Sequence, residues 1–146
     1  SRMDEIRARV EAAEDPVYCT WYAVHGAVTA DFVETNTAIA KELGFTTLIV
    51  DDGWCYDEYC RVNPETLANW YRTIGDYRIS DVKFPKFAEH VQRVRDMGMK
   101  YLVWVAPHLI GCESDFYARN PKSQFIELFD GCSPKASPWG EAGKNL

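Results

Sequence analysis

Thr46-Thr47-Leu48-Ile49-Val50-Asp51-Asp52-Gly53-Trp54 decides the fold of this chain. Its centre is apolar or β-branched without a break. That is the pattern of a strand covered on both faces, as in a parallel sheet, rather than the alternation of a half-solvated strand. Just before it, Lys41-Glu42-Leu43-Gly44 reads as a helix end closed by glycine. The arrangement returns downstream, where Arg95-Asp96-Met97-Gly98 precedes Leu102-Val103-Trp104 with the same spacing from glycine to apolar core. Two successive units of helix, glycine and buried strand imply a parallel sheet with right-handed crossover helices outside it.

The remaining elements are placed around this pair. Residues 3–14 read as a helix with Met3, Ile6, Val10 and Ala13 on one stripe, ended by Asp15-Pro16. Val17 to Val24, rich in aromatic and β-favouring residues, reads as a first strand. Thr29 is placed to cap a helix that runs to about Leu43 with Phe32, Ile39 and Leu43 inward. Residues 55–83 form a long loop, and loops of that length in compact domains are usually functional. Phe84-Pro85 opens a helix with Phe87, Val91 and Val94 on its apolar stripe. Lys100 to Ala106 is a third buried strand, stopped by Pro107. Beyond Gly111 the pattern predicts a helical turn at Phe116–Asn120, a short edge strand from Gln124 to Phe129, and loop over residues 131–146. Three parallel strands are few for an open sheet, and a closed (β/α)8 barrel takes about 250 residues. With 146 residues, the expectation is a single partial domain, 1–146, that ends in loop sequence.

Composition narrows the function. Hydrophobic residues make up 47% and charged residues 26%, a globular balance, and aromatics reach 14%, a supply of flat rings suited to holding sugars. The net charge of −6 argues against a nucleic-acid partner. No apolar run approaches the ~18 residues of a membrane span. The five cysteines, Cys19, Cys55, Cys60, Cys112 and Cys132, read as reduced thiols of a cytoplasmic protein. Cys55 and Cys60 are close enough in sequence to bridge or to share a metal, but neither a CxxC spacing nor paired histidines accompany them.

In parallel α/β folds ligands bind at the carboxyl ends of strands. That rule selects Trp21 to His25, Asp51 to Trp54, and Pro107-His108. Asp51 and Asp52 are adjacent and so point to opposite sides of a strand. They are poorly placed to flank one scissile bond as the two carboxylates of a glycosidase do. They suit acceptance of hydrogen bonds from neighbouring sugar hydroxyls, with Trp54 and Trp21 closing the pocket. Spacing alone leaves open the other reading, in which the two carboxylates cap a helix or pair with arginine. His108 with Asp51 and Asp52 could hold a metal, although the plainer reading, a polar loop histidine, is the favoured one. His90 is expected on a solvated helix face, and Arg72, Arg78 and Lys83 as surface charges of the long loop. No phosphate loop and no GxSxG elbow is present.

The run Leu48 to Trp54 resembles the "DDGW" signature at the second barrel strand of α-galactosidases of glycoside hydrolase family 36, the melibiase group. Thr20-Trp21-Tyr22 resembles the family's "SW" segment, Gly75-Asp76-Tyr77 its "GDW" and Lys83-Phe84-Pro85 its "KFP". Gly98-Met99-Lys100, with Trp104 and Pro107, resembles "GMKxGLWxxP". The match covers roughly residues 16–110, in order. The resemblance implies the first three β/α units of a (β/α)8 TIM-type barrel and a retaining enzyme acting on terminal α-galactosides. In that reading Asp51 and Asp52 bind the 4- and 6-hydroxyls of galactose. Trp21 lines the pocket, Tyr77 stands where the family has tryptophan, and Trp54 supports the pocket. The family's nucleophile lies in a "KxD" pattern on the fourth strand and its acid/base on the sixth. No Lys-x-Asp triplet follows Pro107. The expectation is therefore sugar recognition without the catalytic pair, and with no cofactor. The partners would be an α-galactoside or related sugar, and a homo-oligomer or the remainder of the parent enzyme. A free-standing sugar-binding module and a metal-dependent hydrolase are the alternatives.

Overall fold

The computed structural model describes residues 2–57, 73–111, 113–121 and 143–145. Helix α1 (Arg2–Ala13) leads into strand β1 (Val17–Cys19). The short helix α2 (Trp21–Val24) and a 3-10 turn (His25–Ala27) follow. Then come α3 (Ala30–Glu42), β2 (Thr47–Val50), α4 (Phe87–Asp96) and β3 (Lys100–Val103). The three strands form a parallel sheet in the order β1-β2-β3, with Val17 opposite Thr47 and Thr47 opposite Lys100. The parallel arrangement expected from Leu48–Val50 is therefore present, with α3 and α4 as the crossover helices. The repeat that predicted it has a structural basis. Gly44 and Gly98 each end a helix at positive φ, +92° and +83°, and turn the chain into the next strand.

The core lies between the sheet and these helices. Val28, Val33, Leu48, Val50, Phe84 and Val94 are fully buried there, and each such side chain contributes about 1.5–3 kcal/mol relative to exposure. Thr29 caps α3 as expected, its Oγ1 accepting from the Phe32 N–H at 3.2 Å. The inward stripe of α3 differs from expectation. Ala30, Val33, Thr37 and Ala40 face the core, while Ile39 and Leu43 are 53% and 71% exposed. Small residues on the inner face let the helix seat closely against its neighbours, which puts the larger side chains outside. On α1, Met3 and Ile6 are likewise exposed.

Three further expectations are corrected. The segment Trp21–Val24 is helical, because β1 stops at Cys19 and Thr20 takes up the helical conformation (φ −76°, ψ −17°). The third strand is only partly covered. It forms the edge of the sheet, and Leu102, Val103 and Val105 are exposed. Residues 143–145, read as loop, form strand β5 (Gly143–Asn145). It pairs antiparallel with β4 (Leu109–Gly111), whose backbone groups supply the ladder partners that local sequence cannot show. The turn near Phe116 is helix α5 (Asp115–Arg119), with Ser114 as its cap. The edge strand expected from Gln124 to Phe129 lies outside the described residues, as do Arg72, Cys60, Cys112 and Cys132.

Candidate functional site

The carboxyl ends of the three strands meet at one end of the sheet. Thr20, fully buried, joins two of them: its side-chain oxygen accepts from the Asp51 N–H at 3.0 Å, and its own N–H donates to the Ile49 carbonyl. The Asp51 carboxylate accepts from the Asp52 N–H at 2.7 Å and from the Cys19 thiol at 3.1 Å. The Cys19 thiol is raised, first by burial and then by its hydrogen bond to Asp51 and that group's charge, with a backbone hydrogen bond from Trp21 opposing. Asp52 is only 3% exposed, and its Oδ1 accepts from the Gly53 N–H at 2.8 Å. Each carboxylate thus holds the N–H of the following residue, which fixes its direction without consuming all its acceptor capacity.

Gly53 is required by two independent facts. Its φ is +116°, and a Cβ placed there would stand 2.6 Å from the Gly26 carbonyl oxygen. The loop after β2 therefore presses directly on the turn after β1. His25 at the start of that turn has φ +47° and ψ −134°, an unusual conformation for a side-chain-bearing residue.

Trp54 and Tyr77 form an aromatic platform, stacked with centroids 5.9 Å apart and planes 15° from parallel. Both are pinned to the segment after β3. The Trp54 indole N–H donates to the Trp104 carbonyl at 2.8 Å, and the Tyr77 hydroxyl accepts from the Ala106 N–H at 2.7 Å. Burial raises the Tyr77 phenol, with Cys55 and Asp52 adding to the rise and the Ala106 N–H opposing it. The structure thus brings Asp51, Asp52, Trp54 and Tyr77 to one end of the sheet. Trp21 joins a second apolar cluster there, with Tyr56, Tyr77 and Trp104 packed around Ile74, Ala106 and Leu109, and its ring meets His25 edge-on at 5.0 Å. A hollow of about 240 Å³ open to solvent is lined by Asp52, Cys55, Tyr56, Thr73, Ile74 and Asp76.

The Cys55 thiol is held protonated at neutral pH. Burial, reinforced by Asp52 and opposed by Lys83, pushes its thiol up to about 12. His108 is exposed, and no group of three metal-ligating side chains forms among the described residues, so His108, Asp51 and Asp52 are not gathered as ligands. Asp76 of the Gly75-Asp76-Tyr77 segment accepts from the Asp115 and Phe116 N–H groups at 2.6 and 3.1 Å and so anchors the start of α5.

Two residues expected at the surface are buried. Lys83 is 2% exposed, and its ammonium donates to the Gly26 carbonyl at 3.0 Å and stands 4.4 Å over the Tyr56 ring. His90 is fully buried between helices and sheet, bonded to Glu34 at 2.7 Å and to the Tyr101 hydroxyl at 3.0 Å. Its partners lie on α3 and β3, and no local pattern in α4 announces them.

Paired carboxylates and stacked aromatics at the strand ends of a parallel α/β sheet occupy the place where folds of this class bind their ligands. The melibiase family model matches residues 1–127, and the chain belongs to that family. It is 28% identical over 103 residues to the bifunctional alpha-galactosidase/sucrose kinase AgaSK of Mediterraneibacter gnavus, covering 70% of this chain and 10% of that protein. It is 28% identical over 120 residues to an alpha-galactosidase of Escherichia coli, covering 81% and 16% respectively. Among solved structures, a GH36 alpha-galactosidase AgaA variant of Geobacillus stearothermophilus in complex with raffinose shares the fold, with a TM-score of 0.69 at 19% identity. That match covers 91% of this chain and 17% of the other. The Thermus thermophilus alpha-galactosidase TtGalA in complex with p-nitrophenyl α-D-galactopyranoside gives a TM-score of 0.65 at 23% identity, covering 90% and 24%. The chain thus spans a quarter or less of the length of these relatives.

Proposed function

We propose that this chain forms the first three β/α units of a (β/α)8 barrel in an α-galactosidase, and that it carries sugar-recognition residues of that enzyme. Asp51 and Asp52 accept hydrogen bonds from galactose hydroxyls, while Trp21 and Tyr77 present apolar ring surface to the pyranose. Trp54 backs Tyr77. The nucleophile and the acid/base come from further parallel barrel strands outside these three units, and the exposed Leu102 and Val103 of β3 are the surface that such strands would cover. Chemically, the enzyme would cleave terminal α-galactosides with retention through two carboxylates not among those at the end of β2.

The observation that carries this reading is the arrangement at the end of β2. Two neighbouring carboxylates are held by backbone N–H donors beside a stacked Trp54–Tyr77 pair, in a chain matched by the melibiase model over 127 residues. Ionised acceptors make the stronger hydrogen bonds to hydroxyls, so the pair can select the configuration of a ring without taking part in bond cleavage.

The test is kinetic. The chain by itself is expected to release no nitrophenolate from p-nitrophenyl α-galactoside above buffer. In the longer enzyme, Asp51→Asn and Asp52→Asn are expected to raise KM by roughly tenfold to a hundredfold, the loss of a charged hydrogen bond. Turnover by the chain alone, or unchanged KM in both variants, would refute the proposal.

A further inference from the structure

Lys83 is the cation that stands out inside the described residues. An ammonium removed from water costs several kcal/mol unless its surroundings compensate, so its position calls for a physical account. Its Nζ donates to the Gly26 carbonyl at 3.0 Å, and the Tyr56 ring lies 4.4 Å below it. Its backbone is tied as well. Its N–H donates to Ser80 Oγ at 3.2 Å, and its carbonyl accepts from the Ala30 N–H at 2.9 Å, at the start of α3. Ser80 in turn donates its N–H to the Trp54 carbonyl at 2.9 Å.

These contacts converge on one side of the candidate sugar site. Gly26 packs against Gly53 so tightly that no Cβ fits between them, and the Gly53 N–H is held by Asp52 at 2.8 Å. Tyr56 lines the same hollow as Asp52. The Cys55 thiol lies within the electrostatic reach of both Asp52 and Lys83, which act on it in opposite directions. The ammonium therefore sits at the junction of the turn after β1, the loop after β2 and the entry to α4, in the same neighbourhood as the Asp52 carboxylate.

We propose that Lys83 is a positioning residue of the sugar site: tied to Gly26 and facing Tyr56, it fixes the Gly26–Gly53 contact and thereby the direction of the Asp52 carboxylate. This rests on the reading that Asp52 binds the sugar. Lys83 does not touch substrate, and its effect is on substrate binding more than on the chemical step.

The test uses the full-length enzyme. Lys83→Met is expected to raise both KM for p-nitrophenyl α-galactoside and the inhibition constant of galactose about tenfold, with kcat changed less than about threefold. Lys83→Gln keeps a donor for the Gly26 carbonyl and is expected to bring KM back to within about threefold of the unaltered enzyme. Unchanged KM and inhibition constant in Lys83→Met, with only a lower Tm, overturns the proposal, as does failure of both variants to yield folded protein. Either result makes the ammonium a core group and nothing more. Asp52→Asn is measured alongside. If it weakens galactose binding while Lys83→Met does not, only the role of Lys83 falls; if Asp52→Asn also leaves binding unchanged, the sugar site itself is misassigned.

Discussion

Replacing Gly53 by alanine probes the contact on which the site is built. The new Cβ would lie 2.6 Å from the Gly26 oxygen, 2.7 Å from its Cα and 2.9 Å from its carbonyl carbon, all backbone atoms that have no rotamer to escape into. The φ of +116° adds strain for any residue with a side chain, of order 1–3 kcal/mol. Overpacking of a rigid contact costs about 1–3 kcal/mol more. The sum is roughly 2–6 kcal/mol, which for a chain near this length lowers Tm by about 5–20 °C. Gly44→Ala is the matched control, because its φ is +92° and nothing lies within 4 Å of the added Cβ. It carries the conformational strain alone. Thermal unfolding followed by circular dichroism, with the two variants side by side, reads the packing component as their difference. Equal Tm values for Gly53→Ala and Gly44→Ala would show that the Gly26–Gly53 approach is not close, and the account of how the two loops lock would fail.

Other outcomes follow from individual contacts. The Glu34 carboxyl is held below its usual range, chiefly by hydrogen bonding from Arg93, with burial opposing and His90 assisting. A carboxylate depressed in the folded state contributes stability that is present above its unfolded value, near 4.3, and lost as pH falls through the folded value. Urea midpoints should therefore fall on acidification below about pH 4.3, and Glu34→Gln should flatten that decline; an identical acid limb in the variant would contradict it. Cys55, with its thiol pushed up to about 12, should hold on the order of a thousandfold less thiolate at pH 8 than a free cysteine. Mass spectrometry after iodoacetamide treatment should find it the slower-labelled thiol, and labelling at the free-cysteine rate would count against its burial. Trp54→Phe keeps a ring over Tyr77 but leaves the Trp104 carbonyl without its donor. It is expected to cost about 1–3 kcal/mol in urea unfolding, and a variant as stable as the parent would remove the pinning contact from the account.

The sheet was legible because its signals are local. Leu48-Ile49-Val50 needs cover on both faces, and Gly44 and Gly98 mark where helices stop whatever lies around them. Asp51 and Asp52 were legible as a candidate site because strand ends carry ligands in parallel folds, and their neighbour Trp54 came with them. What escaped depends on contacts distant in sequence. Trp21–Val24 has the composition of a strand, yet Thr20 closes β1 by bonding across to Asp51, and the chain coils instead. The period of α3 was readable but its phase was not, since Ile39 and Leu43 face outward while Thr37 and Ala40 face in. Lys83 and His90 carry ordinary surface chemistry in their own segments. Their compensating partners, Gly26 and Tyr56 for one and Glu34 and Tyr101 for the other, are supplied by other elements.

The central claim is that the two acidic side chains at the tip of β2 hold a pyranose rather than reacting with it. Titration calorimetry of galactose into the full-length enzyme carrying Asp51→Asn and Asp52→Asn together measures this directly, because no turnover is involved. The account predicts that galactose affinity is lost, by a factor of about a hundred or more, while the protein stays folded. Galactose binding as tight as in the unaltered enzyme would contradict it.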